Sequence, residues 1–157
     1  MLYLWNLFLV VCHFLFLFVN ITNCGFSPIY KGGSNLNLKI VIENLSGDRE
    51  TFNLISSNLN SYSYEESNKI AKIDIETNYK KTIIAKDSTG KPTDFRMELK
   101  TIFDVRLEDL DKKFIYTETF NYKSFNNNFE QLEYEKTLKQ NMTQIISQKI
   151  LTQLSRY

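Results

Sequence analysis

Leu36, Leu38, Ile40 and Ile42 alternate with Asn37, Lys39, Val41 and Glu43, a period of two that places one apolar face on a half-buried strand. Asn44 to Gly47 interrupts the alternation, after which Phe52, Ile55, Leu59 and Tyr62 recur at helical spacing. The pattern predicts a helix over Asp48 to Asn60, capped by Ser46 or Asp48 and frayed near Asn58, Asn60 and Ser61. Alternation resumes at Ile70 and continues through Thr82-Ile83-Ile84-Ala85, predicting a long second strand. Turn residues from Asp87 to Pro92 separate it from a third strand. In that strand Phe95, Met97, Leu99, Thr101, Phe103, Val105 and Leu107 keep one phase, and Ile102 is the misfit. A polar turn is expected around Glu108 to Lys113, then a fourth strand with Phe114, Tyr116, Phe120 and Tyr122 on one face. The last three strands should form a meander.

Beyond Asn126–Asn128 the stripe Leu138, Met142, Ile145, Ile146, Ile150, Leu151 and Leu154 predicts a long amphipathic helix. Asn127 with Glu130 approximates a capping box. Glu130, Glu133 and Glu135 near the start, and Lys149 and Arg156 near the end, match the helix dipole. Each large side chain fully buried is worth about 1.5–3 kcal/mol, so a sheet of this size needs such a helix as a cover. The expected fold is α+β: a two-layer sandwich, with a four-stranded mostly antiparallel sheet and two helices on one face, in the order β-α-β-β-β-α.

Ahead of this domain, Leu2 to Val19 carries no charged residue and belongs in a bilayer rather than in water. The run exceeds the roughly 7–15 residues of a signal-peptide core and touches the lower limit of about 17 for a spanning helix. It ends shortly before Cys24, which opens a sequence of different character. Cleavage before Cys24 would remove Cys12 and leave one thiol with no disulfide partner, a liability that a thioether-linked lipid removes. The organisation read from the chain is a lipoprotein signal peptide over 1–23, a tether over 24–35 containing Pro28, and the α+β domain over 36–157. An uncleaved membrane anchor is the other reading of the leader.

The formal charge of +1 provides no general pull toward nucleic acid, so any anion site must be local. The one histidine, His13, lies in the leader. The domain after Cys24 therefore has no Ser-His-Asp, Cys-His or histidine-zinc chemistry. A carboxylate pair working as acid and base remains open, although most acids here alternate with apolar residues on predicted strands, where a solvated face is the ordinary role. Lys31-Gly32-Gly33-Ser34-Asn35 lacks the strand-turn-helix setting of a phosphate loop. No cofactor and no metal is expected, and the chain is not expected to be an enzyme.

Three features together resemble the LPS-assembly lipoprotein LptE family, alphaproteobacterial type. The run Cys24-Gly25-Phe26-Ser27-Pro28-Ile29-Tyr30 is similar to the family's lipidated start. The strand, helix, meander, helix order is similar to the family fold. The run from Phe125 to Lys136, with Phe129, Glu130, Tyr134 and Glu135, is similar to the segment that opens the family's final helix. The resemblance implies a non-enzymatic protein held by a lipid on Cys24 at the periplasmic side of the outer membrane. It implies a plug within the LptD-type outer-membrane β-barrel that assists barrel assembly and binds lipopolysaccharide during insertion into the outer leaflet.

Lipopolysaccharide presents phosphates and acyl chains, so a binder needs cations beside exposed apolar groups. The candidates are Lys80 and Lys81 beside Tyr79, Lys91 in the hairpin turn, Arg106, and Lys112 and Lys113 beside Phe114. The alternative function is a periplasm-facing, lipid-anchored binding or scaffold module with a different partner.

Overall fold

The structure is a computed structural model that describes residues 36–108 and 110–157. The expected signal peptide (1–23), Cys24 and the tether (24–35) lie outside the described residues. The elements run β1 (Lys39–Gly47), α1 (Arg49–Asn60), β2 (Ile70–Lys86), β3 (Pro92–Leu107), β4 (Leu110–Lys123) and α2 (Asn128–Leu154). The sheet order is β1-β2-β3-β4, with β1 parallel to β2 and the other two pairs antiparallel. A parallel pair needs a crossover, and α1 is that crossover. Class and element order are those expected from the periodicity.

Register explains the core. Ala71, Ile73 and Ile75 of β2 lie opposite Leu107, Val105 and Phe103 of β3, so apolar residues of the same phase meet across the strands. Those residues are buried together with Ile55 and Leu59 of α1 and with Met142, Ile146 and Ile150 of α2. Both helices therefore pack on one face. The opposite face carries the polar phase, including Lys72, Asp74 and Glu76 of β2.

Local details depart from expectation where tertiary contacts decide them. β1 starts at Lys39 rather than near Leu36 and runs to Gly47, with a bulge between Ile42 and Asn44. In α1 the buried row is Thr51, Ile55 and Leu59, not the row through Phe52 and Tyr62. Tyr62 is exposed and Phe52 is half-buried against the core. The row shifts because Thr51 Oγ1 finds a buried partner 3.0 Å away in Thr77 Oγ1, which satisfies a group that burial otherwise penalises. Of the two cap candidates Asp48 is the one used, its Oδ1 accepting from the Thr51 amide at 3.0 Å.

The expected polar turn over Glu108 to Lys113 is shorter. Leu107 pairs with Leu110, and Glu108 adopts φ +47, so β4 already begins at Leu110. Lys112 and Lys113 are consequently strand residues opposite Val105 and Asp104. At α2 the cap is Asn127, whose Oδ1 accepts from the Phe129 amide at 2.9 Å. Its amide nitrogen reaches Glu130 Oε1 at 3.4 Å, a side-chain variant of the capping box. Lys149 does not serve the helix C-terminus; it forms an ion pair with Glu118 of β4.

Candidate functional site

The six candidate cations occupy different parts of the domain. Strand alternation puts Lys80, Arg106 and Lys113 on the open face and Lys81 and Lys112 on the helix-covered face. Lys91 sits in the β2–β3 turn, where its amide and that of Thr89 both donate to Asp87 Oδ1, at 3.0 and 2.8 Å. Lys81 lies opposite Met97 and Lys112 opposite Val105, a separation of roughly 25 Å along the sheet. The structure does not bring the six into one site.

Several of these cations already have partners. Arg106 reaches Glu43 at 2.6 Å and Asp74 at 2.9 Å, Lys72 reaches Glu43 at 3.0 Å, and Lys113 reaches Asp104 at 3.3 Å. The Asn44 amide followed by Arg106 holds the Asp74 carboxyl below its ordinary value, and Lys72 followed by Arg106 does the same for Glu43. Lys112 Nζ lies 2.5 Å from the Tyr157 hydroxyl and 4.9 Å from its ring centroid. These pairs dress the end of the sheet where β1 and β2 begin.

The other end, around the β2–β3 hairpin, combines cations with exposed apolar surface. Phe129 and Leu132, in the first turns of α2, are 69% and 64% exposed. Ile83 and Ile84 on β2 are also exposed. An aromatic chain lies behind them: Phe95 stacks on Tyr122 at 5.3 Å, Tyr122 meets Tyr134 at 5.7 Å, and Tyr134 meets Phe125 at 5.1 Å. Tyr122, Lys123, Ser124, Phe125 and Tyr134 line a cleft of about 320 Å³. Of the expected residues, Lys80 and Lys81 belong to this end and Lys91 to the adjoining turn.

Reading α2 as a uniform cover missed Phe129 and Leu132. The available signal was their phase. The buried positions Leu138, Met142, Ile146, Ile150 and Leu154 recur every four residues, and Phe129 and Leu132 fall outside that row.

Glu135 ties this end together. Its Oε1 accepts from Lys81 Nζ at 2.5 Å, from Gln131 Nε2 at 2.9 Å and from the Tyr122 hydroxyl. Lys81 also lies 4.6 Å from the Phe95 ring centroid. Burial pushes the Glu135 carboxyl up, but the three donors outweigh it and hold the group below its ordinary 4.5. Burial, then the negative charges of Glu135, Asp48 and Glu50, push the Tyr79 hydroxyl up to about 12.

A carboxyl lowered in the folded state stabilises fully above its unfolded value, and that contribution is lost as pH falls through the folded value. Glu135→Gln should therefore cost about 1–2 kcal/mol at neutral pH, and the gap from wild type should narrow once pH drops below about 4.5. Urea unfolding of both proteins across this range is the check. A gap that stays constant down to about pH 3 would show that the Glu135 charge does not hold this end.

No protein-family model and no curated protein sequence matches the chain. Solved structures do. Rare lipoprotein B from Shewanella oneidensis aligns over 76% of this chain and 93% of its own, with 13% identity and a TM-score of 0.57. A minor lipoprotein from Acinetobacter baumannii aligns over 75% of this chain and 92% of its own, with 17% identity and a TM-score of 0.51. An uncharacterized lipoprotein B from Nitrosomonas europaea aligns over 76% and 86%, with 16% identity and a TM-score of 0.51. At these identities the likeness is one of fold: the chain has the α+β architecture of these lipoprotein structures.

Proposed function

We propose that this chain is a lipid-anchored outer-membrane protein that plugs and assists assembly of an LptD-type β-barrel and binds lipopolysaccharide during its insertion. The observation that carries this reading is the pairing of a cysteine just beyond an apolar leader, Cys24, with a domain whose fold is that of bacterial lipoproteins. The hairpin end supports the ligand part. Lys80 and Lys123 supply positive charge there, beside the Lys81–Glu135 pair, and Phe125, Phe129 and Leu132 supply apolar surface, matching a ligand of phosphates and acyl chains. The open face supports the plug part. Its ion pairs and polar side chains suit the polar lumen of a large barrel.

The test is affinity purification of the tagged chain from detergent-solubilised outer membranes of its own organism. A large barrel protein in roughly equal amount is the expected result, and Phe129→Glu with Leu132→Glu should lower the lipopolysaccharide that travels with it. Recovery of a different protein in equal amount would replace this reading with that of a lipid-anchored scaffold module.

A further inference from the structure

β2 is longer than the strand that covers it. β1 pairs with β2 only from Ile70 to Thr77, leaving Asn78 to Lys86 with β3 on one side and no strand on the other among the described residues. The direction of the free groups follows from two hydrogen bonds on the β1 side. The Lys39 amide donates to the Lys69 carbonyl at 2.8 Å, and the Asp48 amide to the Thr77 carbonyl at 3.2 Å. Odd-numbered residues of β2 therefore aim their backbone groups toward β1. The register stays regular as far as Ile83, so Tyr79, Lys81 and Ile83 aim theirs at the vacant edge.

This edge differs in charge from the other free edges. Asn78 to Lys86 contains Lys80, Lys81 and Lys86 and no acid, whereas β4 mixes Lys112, Lys113 and Lys123 with Asp111 and Glu118. Among the described residues no carboxylate lies within 4 Å of Lys80 or Lys86, and Lys81 is satisfied by Glu135. Edge lysines discourage a second copy of the same strand: a twofold pairing centred on Lys81 would set that lysine opposite itself. They favour a strand that carries acids. Apolar contact is on offer on the helix side. Lys139 reaches Glu50 of α1 at 2.5 Å and lies 4.3 Å from the Tyr79 ring centroid, so this side of α2 overlooks β2. Leu132, two turns earlier on the same side, is exposed, as is Ile83 of β2.

We infer that the vacant β2 edge from Asn78 to Ile83 is a docking site for an extended acidic segment of a partner protein, added as a strand that continues the line of β1. Main-chain bonds to Tyr79, Lys81 and Ile83 hold the segment. Its acids meet Lys80, with Lys86 adding positive charge just beyond the segment, and its alternate apolar side chains lie on the helix side with Ile83. This goes beyond the barrel and lipopolysaccharide reading and does not require it.

The probe is a fluorescein-labelled peptide of about nine residues alternating glutamate and valine, with a lysine–valine peptide as its counterpart. Fluorescence anisotropy with the full chain in detergent should show the glutamate peptide binding at least about tenfold more tightly. Binding should slow amide exchange at Tyr79, Lys81 and Ile83. Ile83→Pro removes an edge donor without touching the β3 ladder, so it should fold and lose the peptide. Lys80→Glu with Lys86→Glu leaves the backbone intact and should reverse the preference toward the lysine peptide, which keeps the test decisive if the proline variant misfolds. Equal binding of both peptides by wild type and the charge-reversed variant, or binding of neither, would overturn the inference. So would self-association of the wild type that Ile83→Pro abolishes, because the edge would then belong to a second copy.

Discussion

Phe103→Ala should remove about 3–5 kcal/mol of stability, a large part of the roughly 5–15 kcal/mol that a domain ordinarily has. Phe103 is fully buried on an interior strand, between Ile75 of β2 and Phe114 of β4. Its ring meets Tyr116 edge-on, with centroids 6.1 Å apart and planes at 61°. Neighbouring strands on both sides and helices above fix the walls, so the cavity left by an alanine cannot collapse and the lost contacts are not replaced. The urea midpoint should fall sharply with little change in slope. Ile115→Ala, at a side chain 54% exposed on the same sheet, should stay within about 0.5 kcal/mol of wild type. Comparable losses at the two positions would mean that the core is not where the register puts it.

Gly47→Ala should be almost as damaging for a different reason. Gly47 ends β1 at φ +93, and a Cβ there would lie 1.7 Å from the Thr77 carbonyl oxygen. The obstacle is backbone, so no side chain can rotate away. Relief requires moving β1 off β2 and breaking the hydrogen bond from the Asp48 amide to that same carbonyl. The strained φ costs about 1–2 kcal/mol, and the lost pairing about 1–3 kcal/mol more. Gly90 is the internal control, since it has a similar φ of +87 with nothing within 4 Å of an added Cβ. Gly90→Ala should therefore show the strain without the collision. Equal midpoint shifts for the two alanine variants would sink the argument from crowding at the β1–α1 junction.

The same junction shows why part of the core escaped the sequence. Thr51 and Thr77 are polar residues in a buried row, with Thr77 Oγ1 also 3.1 Å from the Asp48 carbonyl. Periodicity counts apolar positions and cannot register a polar side chain that becomes buried because another polar side chain meets it. The proposed ligand-binding end has the same origin. Lys80 and Lys81 are adjacent in sequence, yet alternation sends Lys80 to the open face, while Lys81 crosses the layer to Glu135, far along the chain. Phe129 and Leu132 could have been singled out from their phase alone, but whether an off-phase side chain is exposed depends on what packs beside the helix.

What the sequence by itself determined is the set of elements and their inward faces. The phase of Phe95 to Leu107, the helical row after Leu138 and the cap at Asn127 are local properties, set by backbone geometry within a few residues. Only the tertiary structure decided the parallel pairing of β1 with β2 and its early end at Thr77, the dispersal of the six candidate cations, and the meeting of Lys81, Tyr122 and Glu135 on one carboxylate oxygen. These depend on register between distant segments, where a shift of one residue exchanges the two faces of a strand, and nothing within either segment encodes the position of the other.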